Sequence, residues 1–212
     1  MKDKIVIIGG GEFAHLIIDV IKKLNQYEII GYSDLVDRGI VLGTKYLGTD
    51  DVLTDVLKTH PKCKAVVAVG LIKVSFVRNK VYEMLKNIGF ELPSIISKNA
   101  ILQEDVIIDE GTCVLDNALI NAGTKIGKCC IIGPGAIVEH HCTAGDFVTF
   151  ATGSIFAAGS TIGNNSILSI GAIVVSHKSI CNNCFIGAGS VAINNISIEG
   201  TYYGVPARKI IP

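Results

Sequence analysis

The sequence has few charged residues, no excess of either sign and no long apolar run. Only 18% of its 212 residues are charged, and 19 basic residues balance 19 acidic ones. This balance gives no electrostatic basis for binding a nucleic acid or an anionic membrane, and we expect neither as a partner. Apolar runs such as IVII at 5–8 are strand-sized, far shorter than a membrane span. The opening MKDKIVIIGGG has no apolar signal-peptide core, so we expect a cytoplasmic protein.

A repeated metal-binding pattern is also missing. Of the seven cysteines, Cys181 and Cys184 have the C-x-x-C spacing, but no pair of histidines accompanies them to complete a zinc site. We therefore expect no metal. The cysteines are interpreted as small buried apolar residues in a reducing compartment.

Residues 1–95 alternate between strand and helix patterns. Buried-strand patterns occupy 4–8, 27–34 and 64–70, and helical spacing of apolar residues occurs over 12–25, 49–60 and 77–90. Such alternation predicts a small parallel sheet with helical crossovers, which is a Rossmann-like α/β domain.

From residue 100 the chain divides into seventeen consecutive six-residue words without an insertion. The first letter is mostly small, and glycine recurs at the fourth and sixth letters. Every third letter is apolar: Leu102, Ile108, Val114, Ile120, Ile126, Ile132, Val138, Ala144, Phe150, Phe156, Ile162, Leu168, Val174, Ile180, Ile186, Ala192 and Ile198. Period six fits neither an α-helix nor an ordinary strand. It predicts a parallel β-helix over 96–212, with three words in each 18-residue coil and the third letters inside.

Several stretches together resemble the bacterial sugar O- and N-acetyltransferases. They are IVIIGGGEFAHLIIDVI, IIGYSD, VAVG, GFELPSIISKNAIL, GAIVEHHCTAGDF, CFIGAGSV and YYGVPARKI, and they extend over nearly the whole chain. The resemblance implies a left-handed β-helix of hexapeptide repeats after the Rossmann-like domain. It further implies a homotrimer that transfers acetyl groups from acetyl-CoA to a sugar or nucleotide-linked sugar for bacterial surface glycans.

The same resemblance assigns the acetyl-transfer residues. His140 matches the general base, and Thr149, Ala158, Ile170 and Ala188 match positions that contact acetyl-CoA. An imidazole suits a base that works near neutral pH.

The sequence offers Glu139 and His141 as candidates to orient the base. Relatives commonly carry an acid at the position of His141. Because His141 is a sixth letter, where Gly, Asn or Asp usually stands, we expect it to be dispensable.

The candidate sugar or nucleotide site lies in the first domain. Gly9, Gly11 and Ala14 match a dinucleotide fingerprint, with Asp34 about 20 residues beyond it. Such a turn offers backbone N–H groups to a phosphate. The site also includes Gly10, Glu12, Phe13 and, at the end of the third strand, Gly70. About 95 residues hold one mononucleotide half, which favours a nucleotide-sugar over NAD.

Two other functions stay open on the sequence alone. One is a non-catalytic trimeric scaffold that binds a sugar-nucleotide, because Glu12, His141 and Thr149 depart from the family pattern. The other is an NAD-binding enzyme with a β-helical trimerisation stalk. For the acetyltransferase itself, the acceptor group is either an amine or a hydroxyl.

Overall fold

The computed structural model describes residues 2–70 and 73–210, which form two compact units. The first unit contains residues 2–70 and 76–98, and the second contains residues 73–75 and 99–210. Among the helices of these described ranges, none has both the length and the apolarity needed to cross a membrane.

The first unit is a four-stranded parallel sheet with helices. Its elements in chain order are β1 (Asp3–Ile8), α1 (Glu12–Leu24), β2 (Tyr27–Ser33), β3 (Tyr46–Gly48), a 3₁₀ turn (Asp50–Val52), α2 (Leu53–Thr59), β4 (Lys64–Val67), α3 (Val77–Ile88) and β5 (Ile95–Ile96). The strand order is β3-β2-β1-β4, with every neighbouring pair parallel.

Strand β1 lies between β2 and β4 in the sheet and is its most deeply buried strand. Its residues Ile5, Val6, Ile7 and Ile8 are at most 2% exposed, as expected of a parallel strand covered on both faces. Helix α3 ends at Gly89, which adopts the left-handed conformation that favours glycine. The short strand β3 was not predicted, because three residues show no readable alternation.

The second unit is a left-handed parallel β-helix with three faces. Its strands in chain order are β6 (Ile101–Leu102), β7 (Ile107–Ile108), β8 (Cys113–Val114), β9 (Leu119–Ile120), β10 (Lys125–Ile126), β11 (Ile131–Ile132), β12 (Ile137–Val138), β13 (Thr143–Ala144), β14 (Thr149–Phe150), β15 (Ile155–Phe156), β16 (Thr161–Ile162), β17 (Ile167–Leu168), β18 (Ile173–Val174), β19 (Ser179–Ile180), β20 (Cys184–Ile186), β21 (Val191–Ala192), β22 (Gly200–Tyr203) and β23 (Arg208–Lys209). The predicted fold class is confirmed.

From β6 to β21, every third strand belongs to the same face. Face 1 contains β6, β9, β12, β15, β18 and β21; face 2 contains β7, β10, β13, β16 and β19; face 3 contains β8, β11, β14, β17, β20, β22 and β23. Among the strands β6 to β21, residues 18 positions apart on one face pair in parallel, as Thr149 does with Ile131 and Ile167. Each letter of a word therefore forms a column along the prism.

The third letters form the core of the prism. Fourteen of the seventeen are buried, while Leu102 and Ile108 in the first coil are half-buried. The rings of Phe150 and Phe156 lie 5.4 Å apart inside it. The core is continuous because each coil covers the one below.

The last word departs from the predicted register. Ile198 was expected inside but is 60% exposed, whereas Ile196 is buried and bridges to Ile180. Strand β22 pairs with β20 at a separation of sixteen residues, so the final coil is two residues shorter than the others. The shortening moves Ile196 into the core column and Ile198 out of it.

Side-chain oxygens form a ladder at the corner between faces 2 and 3. Asp146 Oδ1 accepts from Lys128 N at 2.9 Å, Asn164 Oδ1 from Asp146 N at 2.9 Å, and Asn182 Oδ1 from Asn164 N at 2.8 Å. Asn164 also lies over Gly145, where a Cβ would collide with its side chain. This corner thus needs both the ladder residue and the glycine beneath it.

We predict that Asn164→Ala lowers the free energy of unfolding by about 1 kcal/mol, because Asp146 N loses its acceptor. Asn164→Asp keeps an acceptor in the same place and should unfold near the wild-type midpoint. Chemical denaturation of both variants measures the difference. Equal losses in the two variants would mean that the ladder bond contributes nothing.

Candidate functional site

The turn after β1 is shaped by three glycines with different roles. Gly9 has φ of +105°, and a Cβ there would lie 2.9 Å from the backbone oxygen of Ala68. A Cβ on Gly10 would collide with the ring of Tyr32, whereas a Cβ on Gly11 would meet no described atom within 4 Å. Gly11 starts helix α1, where no side-chain cap is found among the described residues. The turn therefore leaves open space beside a helix N-terminus, which suits an anionic group.

Asp34 braces this turn from the end of β2. Its Oδ2 accepts from Gly10 N at 2.7 Å, and its Oδ1 accepts from Val36 N at 3.2 Å. Arg38 lies 4.0 Å from the same carboxylate. Asp34 thus has a structural role in the turn, in addition to any contact with a ligand.

Phe13, Gly70 and Glu12 lie at the same edge of the sheet. A Cβ on Gly70 would lie 2.9 Å from the Cβ of Phe13, so the two residues adjoin and glycine is required for their approach. Glu12 is exposed on the first turn of α1. Its negative charge stands where an anionic ligand would approach.

Tyr32 and the loop after β2 were not identified from the sequence. The Tyr32 hydroxyl donates to Gly39 O and accepts from Arg38 N, each at 2.9 Å, and so fixes the loop. The loop presents Leu35 and Ile40 to solvent, 84% and 77% exposed. The apolar pairs LV at 35–36 and GI at 39–40 are the signal in the sequence that could have drawn attention to this loop. Their exposure could not be read from the sequence, because it depends on how Tyr32 holds the loop.

His140 lies at the corner between faces 1 and 2, after β12. It is exposed, and its Nδ1 lies 3.0 Å from Nδ1 of the exposed His141, with the two rings edge-to-face. One of the two nitrogens carries the shared hydrogen and the other accepts it. Its Nε2 has no hydrogen-bond partner among the described residues.

The backbone at His141 directs the two histidines toward each other. Its φ is +56°, and every sixth letter from 105 to 189 has positive φ. The sixth letters are Asp105, Gly111, Asn117, Gly123, Cys129, Gly135, His141, Phe147, Gly153, Gly159, Asn165, Gly171, His177, Asn183 and Gly189. The column position, expected to make His141 dispensable, is therefore also what places its ring against His140.

The carboxylate of Glu139 is bound elsewhere. Its Oε2 accepts from Asn121 Nδ2 at 2.9 Å and lies 3.4 Å from the backbone N of His140. Of the two orienting candidates, His141 is therefore the one whose side chain contacts the His140 ring. Adjacent residues of extended chain point apart, which accounts for the position of Glu139.

The four residues matched to the acetyl donor lie on different parts of one prism. Ala158 is half-buried one coil from His140, on the corner between faces 1 and 2. Ile170 and Ala188 are exposed on the corner between faces 3 and 1. Thr149, on face 3, is 5% exposed, and its hydroxyl has no partner among the described residues. Face 1 separates Ala158 from Ile170 and Ala188.

The outer side of face 1 is apolar. Its second letters are Ile101, Leu119, Ile137, Ile155, Ile173 and Val191, partly or fully accessible. On face 2 the same letter is mostly polar: Ile107, Lys125, Thr143, Thr161 and Ser179. A continuous apolar strip of this kind is typical of a surface that another protein covers.

Acidic, histidine and cysteine side chains do not converge on a metal position in the described ranges. No group of three or more of them lies close enough to hold an ion there.

Comparison with known proteins gives matches for both units. Residues 4–85 match the family model of the PglD N-terminal domain. The curated GDP-perosamine N-acetyltransferase of Escherichia coli O157:H7 is 24% identical over 149 residues, which are 70% of this chain and 67% of the relative.

Two solved structures match over nearly the full length. A histidine-to-alanine variant of GDP-perosamine N-acetyltransferase from Caulobacter crescentus, in complex with CoA and GDP-perosamine, superposes with a TM-score of 0.91 at 29% identity, covering 97% of this chain and 95% of that one. The acetyltransferase domain of PglB from Neisseria gonorrhoeae FA1090 has a TM-score of 0.92 at 27% identity, covering 99% and 100%. The latter has also been solved with acetyl coenzyme A.

Proposed function

We propose that this chain, a hexapeptide-repeat acyltransferase of the sugar N-acetyltransferase type, acetylates the amino group of a nucleotide-linked sugar with acetyl-CoA. The matching relatives from Escherichia coli O157:H7 and Caulobacter crescentus are GDP-perosamine N-acetyltransferases, and the latter has been solved with CoA and GDP-perosamine. This favours an amine over a hydroxyl as the acceptor group. The product would serve bacterial surface glycans and would be made in the cytoplasm.

The observation that carries this proposal is the exposed imidazole of His140. Its Nδ1 is engaged by His141, and its Nε2 has no partner within residues 2–70 and 73–210. Ala158, one coil away in the same column, offers only a methyl group and lets a ligand approach the backbone. Acyl transfer to an amine needs a base, and it needs space beside that base for the acyl donor to bind.

The transfer begins with attack of the sugar nitrogen on the thioester carbonyl carbon. As the N–C bond forms, the nitrogen becomes positively charged, and His140 Nε2 takes one of its protons. Collapse of the tetrahedral intermediate breaks the C–S bond. The CoA sulfur leaves and receives a proton, which His140 can return. Charges and atoms balance without a metal ion or another cofactor.

His141 sets which nitrogen of His140 is available. For His140 Nε2 to act as the base, its Nδ1 must carry the hydrogen, so His141 Nδ1 must be the acceptor and His141 must be neutral. In relatives with an acid at this position, a carboxylate would accept the same hydrogen. A neutral acceptor stabilises the imidazolium less than a carboxylate does. We therefore assign His141 as a positioning residue and give Glu139 no such role.

The donor site is completed by a second copy of the chain. Ala158 and the pair Ile170 and Ala188 lie at the two edges of face 1. In a three-fold arrangement with face 1 toward the axis, the corner of His140 in one subunit adjoins the corner of Ile170 in its neighbour. The same packing covers the apolar strip of face 1. A homotrimer with three clefts thus accounts for both the apolar face and the separation of the donor residues.

The nucleotide end of the acceptor would bind in the first unit. Gly11 leaves room at the start of α1 for a phosphate, and Leu35 and Ile40 offer apolar surface for a base or sugar. Gly9, Gly10, Asp34 and Gly70 maintain the turn rather than supply charge. Glu12 repels a phosphate placed close to it, so the phosphates should lie toward Gly11.

The function is tested by incubating the protein with acetyl-CoA and a panel of nucleotide-linked amino sugars, followed by mass spectrometry. We expect a mass gain of one acetyl group on at least one amino sugar, and none on its hydroxyl analogue. His140→Ala should lower kcat by about 10²–10⁴-fold, the usual worth of a general base. Failure to acetylate any amino sugar, or full activity of His140→Ala, would contradict the proposal.

The role of His141 is tested by His141→Gly with His177→Gly as the matched control. Both histidines have positive φ, +56° and +59°, in the same sixth-letter column, so glycine fits either position without strain. We expect His141→Gly to lower kcat about 5- to 10-fold, the worth of one hydrogen bond, with little change in KM for acetyl-CoA. Equal effects of His141→Gly and His177→Gly would remove the positioning role.

A further inference from the structure

Two cysteines outside the acetyl-transfer site lie close enough to react with each other. Cys181 Sγ and Cys184 Sγ are 3.4 Å apart, at the corner between faces 2 and 3, and both are free thiols. Cys181 is half-exposed and Cys184 is buried. Acetyl transfer does not use either residue.

Cys181 stands at the fourth letter of its word, a position that Asp109 holds in the first coil of this corner and glycine in the coils between. In the three coils below, the corresponding residues are Gly127, Gly145 and Gly163, and a Cβ on each would collide with the ladder residue of the coil above. Above Cys181 the final coil is two residues shorter, so the chain follows a different path there. Cys181 N donates to Ile196 O at 2.8 Å. The shortening gives the Cys181 side chain its space.

The backbone of this corner suits a disulfide. Cys181 and Cys184 are the ends of a four-residue turn whose third residue, Asn183, has φ of +57°. The ends of such a turn lie less than about 7 Å apart at Cα, which overlaps the roughly 4.4–6.8 Å found for disulfides. The sulfurs need to approach by about 1.4 Å to reach the bond length near 2.05 Å.

We propose that Cys181 and Cys184 form a reversible intrachain disulfide when the protein meets a low-molecular-weight disulfide such as oxidised glutathione. Cys181 attacks one sulfur of the oxidant, forms a mixed disulfide and releases one glutathione. Cys184 then attacks Cys181 Sγ and releases the second. The two protein thiols lose two electrons and two protons, and the oxidant is reduced to two thiols.

The order of attack follows from burial. Burial, with the adjoining Cys181, raises the pKa of the Cys184 thiol to about 12, so Cys184 is poorly ionised at neutral pH. Cys181 is the more accessible of the two and attacks first. The second step then depends on ionisation of Cys184 and should accelerate as the pH rises.

Assembly leaves this corner accessible. In a triangular prism the corner between faces 2 and 3 lies opposite face 1, and face 1 carries the apolar strip through which we propose the subunits associate. Face 2 beside the pair is polar and exposed at Thr161 and Ser179. The proposal does not depend on acetyl transfer.

The disulfide would act on the segment that closes the β-helix. Cys184 Sγ lies 3.9 Å from Ile198 O, and Cys184 pairs in register with Gly200 at the start of β22. Oxidation removes the Cys184 S–H and draws Cys181 inward. The change therefore reaches Ile198 and Gly200, which lead into the YYGVPARKI segment.

The test is intact-protein mass spectrometry of the full chain after oxidised glutathione and removal of excess oxidant, with the thiols counted by alkylation. We expect a loss of about 2 Da, the mass of two hydrogens, and two fewer alkylated thiols, both reversed by a dithiol reductant. Raising the pH from about 7 to about 9 should speed the loss, as a buried second thiol requires.

Three variants make the result specific. Cys181→Gly restores the residue of the coils below, and Cys184→Ser matches Ser166 and Thr112 in its column, so both should fold. Neither variant should show the loss of about 2 Da after treatment with oxidised glutathione. Cys142→Ser, which likewise matches Thr124 and Ser160 in its column, should retain it. The proposal is overturned by persistence of the loss in Cys181→Gly, or by a wild-type protein that stays reduced or stops at a glutathione adduct.

Discussion

The parallel register of the β-helix is the constraint on which the rest of the second unit depends. Residues 18 positions apart pair along each face, from β6 to β21, so each letter of the six-residue word becomes a column with one environment. Third letters fill the core and sixth letters take positive φ. At one corner the fourth letters Gly127, Gly145 and Gly163 lie beneath a ladder of Asp and Asn side chains. Each column is stabilised by repetition, because every coil supplies the hydrogen bonds and apolar surface that its neighbour lacks.

The same register distributes the chemistry among the corners. His140 and Ala158 share one corner, and Ile170 and Ala188 share another, with the apolar face 1 between them. A single prism cannot bring the two corners together, so the proposed cleft needs two chains. The thiol pair lies on the third corner, where the shortened final coil admits a side chain at the position of Cys181. One departure from the register thus creates the only new chemistry that we assign outside the acetyl-transfer site.

The sequence predicted those features that repeat. Apolar third letters, glycine at sixth letters and the alternation of strand and helix are regular patterns, and each reports a local requirement of the fold. Single events were not predictable in this way. The replacement of Ile198 by Ile196 in the core depends on how the chain closes the last coil, which no repeat describes. The short strand β3 lacked a pattern for the same reason.

The side-chain partners within the candidate site could not be predicted from residue identity. His140 was identified by its word and its resemblance to a known base, but the pairing of its ring with His141 depends on the positive φ at position 141. Asp34 was considered for ligand contact, yet its carboxylate accepts the backbone N–H of Gly10. Such contacts depend on the backbone conformation of the turns, which the spacing of residues in the sequence does not indicate.

The central claim, that each acetyl-transfer site combines two corners from different chains, is tested most directly by subunit complementation. His140→Ala removes the base from one corner, and Ala188→Trp fills the donor surface on the other. If the two variants are mixed and reassembled at equal concentrations, about a quarter of the clefts in a symmetric trimer combine two intact corners. The mixture is therefore expected to recover about a quarter of the wild-type rate. A rate no greater than the mean of the two variants alone would contradict it.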